Sequence, residues 1–153
     1  MRQPSEVTKR VAAKSPDLVV LSREDAEFYE PGPNEICISI SDPDAPPADV
    51  SPRFAAVLRL NFDDVTEQRA TSDILFAADQ ARAIVDFVDV WPDADRLVVH
   101  CNMGVSRSPG VALGLCDAHG WATAALERSH PGWNRLVRST MRHVATHNPR
   151  RSK

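Results

Sequence analysis

The sequence predicts an α/β fold with a small, mostly parallel central sheet flanked by helices. Two observations lead to this prediction. Short apolar runs of strand length alternate with longer segments in which apolar residues recur at helical spacing. The chain has 153 residues, of which 42% are hydrophobic and 25% charged, as expected for one globular domain with a substantial core. Strands that alternate with helices favour a parallel sheet covered on its faces.

Four apolar runs are the predicted strands: 17–21, 36–40, 55–60 and 96–100. After the first strand, Ser22 is suited to cap a short helix that runs to Tyr29 and ends before Pro31. The segment 41–52 contains four prolines and three aspartates, so it must be a loop and not a central strand.

Four helices are predicted in the second half of the chain. Ser72 or Asp73 is expected to cap the first, which ends near Trp91 and Pro92. The second runs from about Ser108 to His119 and is closed by Gly120. A short helix over 121–128 and a longer one over 133–145 follow. The whole chain, 1–153, is predicted to be a single domain whose ends, 1–15 and 148–153, are mobile.

Composition and charge restrict the classes of partner. The formal net charge of −3 gives no reason to expect binding to nucleic acid or to an anionic membrane. No apolar run suggests a signal peptide or a membrane span, and three widely spaced cysteines fit neither a disulfide framework nor a zinc site. We therefore expect a cytoplasmic protein with free thiols; the pattern leaves its oligomeric state open.

The segment that follows the last predicted strand has the features of a phosphate site. Cys101 and Arg107 stand six positions apart in a small-residue loop between that strand and a helix. Backbone amides of such a loop and the positive end of the helix bind phosphate oxygens, and an arginine adds a planar pair of donors. The predicted phosphate-binding residues are Asn102, Met103, Gly104, Val105, Ser106 and Arg107.

The same loop points to a nucleophilic cysteine. A positive environment favours the thiolate of Cys101, which is the form that attacks phosphorus. Ser108 is expected to donate a hydrogen bond to the sulfur and to improve it as a leaving group, while His100 shapes the loop. The alternative interpretation is a buried core thiol and an ion-paired surface arginine. Cys37 and Cys116 fit core packing better than redox chemistry.

The run His-Cys-Asn-Met-Gly-Val-Ser-Arg-Ser resembles the signature of the protein tyrosine phosphatase superfamily, in the form common among dual-specificity phosphatases. The Ile-Ser-Ile run before the proline-rich loop and the Leu-Asn-Phe-Asp-Asp run at the end of the next strand resemble small prokaryotic members. The resemblance implies a dual-specificity phosphatase-like fold and a cysteinyl-phosphate intermediate. It also implies a phosphorylated protein or peptide as substrate, phosphotyrosine first with phosphoserine and phosphothreonine open, and no cofactor or metal. The loop contains no lysine, which disfavours inositol lipids as substrates.

The resemblance further implies a general acid on an upstream loop. Asp64 is the candidate, and the adjacent Asp63 is the alternative. The tripeptide Trp91-Pro92-Asp93 lies too close to the last strand to be the acid loop of larger tyrosine phosphatases and is interpreted as a helix end.

Two other functions remain open. One is a catalytically weak module that binds phosphorylated partners, and the other is a rhodanese-like sulfurtransferase. Ser41 and Asp42, at the end of a parallel strand, are expected to line the rim of the pocket. Asn134 is expected either to steady the loop or to lie on a helix surface.

Overall fold

The computed structural model describes residues 15–147. Its strands and helices, in chain order, are β1 (Asp17–Leu21), α1 (Arg23–Phe28), β2 (Glu35–Ser41), β3 (Ala56–Asn61), α2 (Ala78–Val90), β4 (Arg96–His100), α3 (Arg107–His119), α4 (Ala124–Ser129) and α5 (Arg135–His147). Apart from Ser15, the ends that were expected to be mobile lie outside the described residues. Within residues 15–147, no helix has the length and apolar character that crossing a membrane requires.

The four strands form one sheet, and every pair of neighbours is parallel. The strand order is β1-β4-β2-β3, so β4 lies between β1 and β2. The predicted α/β class is confirmed, and each predicted strand boundary lies within one residue of the observed one. Parallel strands end at a common edge, and the segment after β4 therefore emerges between the segments after β1 and β2.

The two faces of the sheet are covered differently. Ile36, Ile38 and Ile40 of β2 pack in the larger core cluster with buried residues of α2, α3 and α5. The alternate residue Cys37 faces the other way and packs with Phe54 and other buried residues of α1 and the 42–55 segment. This alternation follows from the period of two in a strand. A short helix and an irregular segment thus cover the second face.

Several predicted helix boundaries are confirmed. The Ser22 hydroxyl caps α1 by accepting a hydrogen bond of 3.1 Å from the Asp25 amide. Helix α3 ends at Gly120, whose φ of 75° is the left-handed conformation that glycine adopts most readily. Trp91 is the residue at which α2 ends, as interpreted from the sequence.

Two predicted helix starts were wrong. The Asp73 carboxylate accepts hydrogen bonds from the backbone amides of Arg69 and Ala70, so it stabilises a turn and does not cap a helix. Helix α2 begins only at Ala78. The Ala77 amide donates to the Gln80 side chain at the true start. Helix α4 begins at Ala124, three residues later than predicted.

Candidate active site

The site lies at the edge where the parallel strands end. The register pairs Leu21 of β1 and Ser39 of β2 with His100 of β4, and Ser41 of β2 with Asn61 of β3. Four chain segments therefore begin at this edge: the turn into α1, the loop after β2, the loop after β3, and the loop 101–106 before α3. We call this last segment, together with Arg107 at the start of α3, the phosphate loop.

Cys101 begins the phosphate loop and is 2% exposed. Two groups form hydrogen bonds with its sulfur: the Ser108 hydroxyl is 3.1 Å from Sγ, and the Gly104 amide donates to Sγ across 3.3 Å. Ser108 itself is fully buried. Ser108 thus lies within hydrogen-bond distance of the sulfur, as the predicted contact requires.

Gly104 is needed where the loop approaches the start of α1. Its φ is 73°, and a Cβ at this position would lie 2.8 Å from the carbonyl carbon of Leu21 and from the Ser22 nitrogen. A second contact secures the loop, because the Arg23 amide donates to the Asn102 carbonyl across 3.0 Å. The backbone of the phosphate loop is therefore held against the β1–α1 turn.

His100 supports the loop from inside the sheet. Its ring is fully buried, with Nδ1 3.2 Å from the Cys101 carbonyl oxygen and Nε2 2.6 Å from the Ser39 hydroxyl. A carbonyl oxygen only accepts hydrogen bonds, so Nδ1 carries the proton and Nε2 accepts from Ser39. Burial lowers the pKa of His100 below its ordinary value. These contacts fit the loop-shaping role that was predicted.

Helix α3 begins at the end of the phosphate loop and supplies donors for an anion. Amides of the first helical turn have no acceptor within the helix, and the helix dipole makes this end positive. Ser106 occupies the N-cap position, yet its side chain makes no capping hydrogen bond. On the outer side of the loop, Met103 is 71% exposed and Val105 55% exposed, so the loop is open to a ligand.

Arg107 is buried at the first position of α3 and only 4% exposed. One of its terminal nitrogens donates to Asp42 Oδ1 and to the Phe62 carbonyl, both at 2.8 Å. Its Nε is buried and has no hydrogen-bond partner among the described residues. An unpaired buried donor on a guanidinium is costly, and a phosphate oxygen would satisfy it.

Asp42 and Ser41 differ in their relation to the site. Asp42, whose side chain is 42% exposed, forms the ion pair with Arg107 and belongs to the rim that was predicted from the topology. Ser41 is 6% exposed at the end of β2 and is not part of the exposed rim. Alternate residues of a strand point in opposite directions, but Asp42 lies beyond the strand end and is free to turn toward Arg107.

The two adjacent aspartates after β3 have different partners. Asp64 Oδ1 accepts a hydrogen bond from the Ser106 hydroxyl at 2.7 Å and one from the side-chain nitrogen of Asn134 at 2.9 Å. The Asp63 carboxylate instead accepts from the Ile74 amide at 2.8 Å, and the Asp63 amide donates to the Ile74 carbonyl at the same distance. Asp64 therefore contacts the phosphate loop, whereas Asp63 closes the following loop on itself.

Asn134 is a site residue for which the sequence left two interpretations. A place on a helix surface is wrong, because the residue is 3% exposed. Its backbone amide donates to the Ser106 carbonyl at 2.9 Å, and its side-chain oxygen accepts from the Val137 amide at 3.0 Å, which caps α5. The signal in the sequence was an asparagine two residues after Gly132 and just before a helix, the usual place of an N-cap.

The other two cysteines lie in the core, as predicted. Cys37 is fully buried and Cys116 is 1% exposed. Burial raises the pKa of the Cys37 thiol to about 12 and that of Cys116 to about 11, so both stay protonated at neutral pH. Neither forms a disulfide.

Comparison with known proteins identifies the fold. No family model and no curated protein matches the chain by sequence. Human DUSP28 is similar in structure with a TM-score of 0.56 and 16% identity over 86% of this chain and 93% of that one. Tk-PTP in the active form is similar with a TM-score of 0.56 and 14% identity, over 87% of this chain and 94% of that one. PTPMT1 in complex with PI(5)P is similar with a TM-score of 0.53 and 16% identity, over 78% of this chain and 81% of that one.

Proposed function

Since the chain has the fold of the dual-specificity and tyrosine phosphatases, we propose that it is a cysteine-dependent phosphatase that hydrolyses phosphate monoesters, with phosphotyrosine in proteins as its first substrate. Cys101 is the nucleophile, Arg107 and the amides of the phosphate loop hold the phosphate, Asp64 is general acid and base, and Ser108 assists departure of the thiolate. A catalytic thiol must stay reduced, so the cytoplasmic location expected from the sequence is part of this proposal.

One observation carries the proposal: a buried sulfur and an unpaired buried guanidinium nitrogen belong to the same short loop. The Cys101 sulfur has two hydrogen-bond partners, whereas Arg107 Nε, a buried donor, has no acceptor within residues 15–147. A phosphate ester in the loop would give Nε its acceptor and bring phosphorus to the sulfur. A core thiol beside a surface ion pair explains neither feature.

In the first step the thiolate of Cys101 attacks phosphorus, an S–P bond forms, and the ester P–O bond breaks. The leaving oxygen takes a proton from the Asp64 carboxylic acid, which releases the alcohol or phenol. Charge on the transferring phosphoryl oxygens is stabilised by Arg107 and by the loop amides, donors already in place before the reaction.

In the second step water attacks the phosphocysteine. The Asp64 carboxylate accepts a proton from that water, the S–P bond breaks, and inorganic phosphate leaves. The Ser108 hydroxyl, 3.1 Å from Sγ, stabilises the thiolate that departs. The cycle ends with the same protonation states with which it began, so the residues need no co-reactant other than water.

The rim supports a protein substrate. Met103 and Val105 are the exposed apolar residues of the loop, and they offer a surface to the aromatic ring of a phosphotyrosine. The similar structure of PTPMT1 is in complex with PI(5)P. In the present chain, however, Arg107 is the only cationic residue of the phosphate loop, and Asp42 lies beside it. This charge disfavours a polyanionic lipid head group.

A second candidate is recognition of phosphorylated proteins with little turnover. Human tyrosine phosphatase-like serine/threonine/tyrosine-interacting protein is also similar in structure, with a TM-score of 0.51. The contact between Asp64 and the phosphate loop favours the enzyme, because binding alone needs no general acid.

Hydrolysis of para-nitrophenyl phosphate, measured with a chelator present, tests the proposal. We expect wild-type turnover, its loss in Cys101→Ser, and its retention in Cys116→Ser, where the same change is made in the core of α3. Turnover by the Cys101→Ser variant would show that Cys101 is not the nucleophile. An inactive wild type that binds a phosphotyrosine peptide would favour the second candidate, and thiosulfate turnover would favour the sulfurtransferase.

A further inference from the structure

A cavity on the outer face of α5 carries arginines whose charge is only partly neutralised. Its volume is about 260 Å³, and its lining residues are Trp133, Arg135, Arg138, Ser139 and Arg142. We call this site the arginine cavity. We propose that it binds a carboxylate of the substrate, so that the protein prefers phosphotyrosine peptides with a glutamate or aspartate near the phosphorylated residue. This inference rests on the proposed phosphatase function and adds a contact site outside the phosphate loop.

The charge of α5 has one sign. The helix carries three arginines and no acidic residue, and the sequence contains no aspartate or glutamate after Glu127. The chain as a whole, by contrast, has a formal net charge of −3. A cationic helix on an acidic protein is a surface that attracts anionic groups. Which of its arginines can bind such a group depends on the partners that each arginine already has.

Arg138 is already neutralised. It is 8% exposed, and it donates from Nε and a terminal nitrogen to the two oxygens of Asp117, at 2.8 and 3.1 Å. Its other terminal nitrogen donates to Glu127 at 2.8 Å. The Trp133 ring packs on the guanidinium, with 5.1 Å between Arg138 Cζ and the ring centroid. These contacts fix the side chain of Arg138, which therefore forms a rigid part of the cavity wall.

Arg135 and Arg142 keep unused donors. Arg135 is exposed, and no carboxylate within residues 15–147 pairs with it. Arg142, whose side chain is 59% exposed, makes a single hydrogen bond of 3.1 Å to Asp117. The carboxylates of Asp117 and Glu127 thus face three guanidinium groups, and one positive charge is left over. A guanidinium presents paired N–H donors that match the two oxygens of a carboxylate, so the cavity suits an acidic side chain.

The arginine cavity adjoins the rim of the phosphate loop. Gly132 passes beside the loop, since a Cβ at this position would lie 3.4 Å from Val105 Cγ1. The next residue, Trp133, lines the cavity, and Asn134 donates its backbone amide to the Ser106 carbonyl. Consecutive Cα atoms are about 3.8 Å apart, so a peptide that leaves the loop past Val105 needs only a few residues to reach the cavity.

The number of available arginines favours a peptide side chain over a membrane. Recognition of anionic lipid by a basic surface takes clusters of about four to eight lysines and arginines. Two arginines of the cavity have unused donors, because Arg138 is buried and paired. One carboxylate bound between two guanidinium groups fits this number. The occupant is therefore an acidic residue of a protein substrate whose phosphotyrosine lies in the phosphate loop.

Peptide binding to Cys101→Ser, which cannot form the phosphocysteine, tests the inference without turnover. Two fluorescein-labelled phosphotyrosine peptides are compared by fluorescence anisotropy: one has glutamates on both sides of the phosphotyrosine, and the other has glutamine at the same positions. In the same background, Arg135→Gln with Arg142→Gln removes the two exposed charges of the cavity. Arg138 is left in place, because its loss would leave Asp117 with a single partner. Arg53→Gln with Arg82→Gln is the matched control, since it removes two exposed charges elsewhere.

We expect Cys101→Ser to bind the acidic peptide about fivefold or more tightly than the neutral one, since charge-assisted hydrogen bonds are the strong ones. In the variant of Arg135 and Arg142 the two dissociation constants should agree within about twofold, whereas the control should keep the preference. An increase in salt from about 0.05 to 0.5 M should weaken the preference by screening. With an active wild type, kcat/KM for the two peptides should show the same ratio.

Other outcomes overturn the inference and separate it from the proposed function. Equal binding of both peptides by Cys101→Ser would show that no carboxylate is recognised. A preference that survives in the variant of Arg135 and Arg142 would place recognition elsewhere. Binding to vesicles of phosphatidylcholine and phosphatidylserine that depends on these arginines, without a peptide preference, would assign the cavity to a membrane. An inactive wild type that binds neither peptide would remove the proposed function itself. Thermal unfolding checks the fold of each variant, and Arg135→Gln alone decides if the double variant unfolds.

Discussion

At the scale of single residues, the site depends on polar side chains that are buried and held in one protonation state. His100 is the clearest case. Its ring is fully buried between the Ser39 hydroxyl and the Cys101 carbonyl, and a proton on both ring nitrogens would leave Ser39 without its acceptor. Burial therefore lowers the pKa of His100 and keeps the ring neutral.

This pKa shift predicts an acid-sensitive stability. Below the ordinary histidine pKa of 6.5, the unfolded chain takes up a proton that the folded chain refuses. The contribution of His100 to the free energy of unfolding should thus be constant above pH 6.5. As the pH falls below 6.5, this contribution should decrease by at most about 1.4 kcal/mol per pH unit, until the pH reaches the pKa of His100 in the folded protein. Urea unfolding at pH 7.0 and pH 5.5 measures the change.

His100→Asn is the matched variant for this prediction. It keeps a donor for the Cys101 carbonyl but cannot titrate, so its free energy of unfolding should change less between the two pH values than that of wild type. It should be less stable at pH 7 by about 1–3 kcal/mol, because Ser39 loses its acceptor. The same pH dependence in both proteins would show that other groups cause the acid sensitivity.

At the scale of elements, α3 and α5 approach closely because α3 presents glycines to α5. A Cβ on Gly114 would lie 2.5 Å from both Cβ and Cγ of Met141, and one on Gly110 would lie 2.9 Å from the Asn134 carbonyl oxygen. No real side chains approach this closely, so the glycines set the separation of the helices. The same packing positions the start of α5, where Asn134 lies.

Gly114→Ala should therefore destabilise the protein, although alanine is the better helix former. The clash involves a Cβ that cannot move without its backbone, and overpacking costs about 1–3 kcal/mol, more than the roughly 1 kcal/mol that helix propensity returns. Chemical denaturation measures the difference. Gly32→Ala is the control, since its Cβ would meet only the flexible end of Glu35, at 3.2 Å. A stabilised Gly114→Ala would show that α5 shifts freely.

At the scale of the whole molecule, topology brings the parts of the site together. The central place of β4 puts the phosphate loop between the segments that follow β1 and β2. The β1–α1 turn supports Gly104, and the loop after β2 supplies Asp42 to Arg107. These supports come from opposite sides of β4, so the loop is held from both.

The charge of this assembled edge leads to a prediction about substrate class. Asp42 and Asp64 both contact residues of the loop or of the helix start, and Arg107 is the loop's single cationic residue. We expect kcat/KM for a phosphotyrosine peptide to exceed that for a short-chain phosphatidylinositol monophosphate by about tenfold or more, a difference of about 1.4 kcal/mol in transition-state binding. Phosphate release measures both rates, and an equal or reversed preference would contradict the charge argument.

The α/β class, the four strands and the strand-loop-helix segment with Cys101 and Arg107 could all be predicted from the amino-acid sequence. These features depend on periodicity and on spacing within a few residues, which a single chain displays directly. The same local pattern can fit two structures, and there the prediction failed. Asp73 was a good candidate for a helix cap, but its carboxylate stabilises a turn instead.

The groups that meet at the site could not be predicted in this way, because tertiary packing brings them together. Asp64 lies 42 residues from Ser106 and 70 from Asn134, and Asp42 lies 65 from Arg107. No periodicity relates residues so far apart. The choice between Asp63 and Asp64 depends on the direction of two adjacent side chains, which successive residues of an extended chain send to opposite sides. That direction follows from the packing of the loop after β3 against α3 and α5.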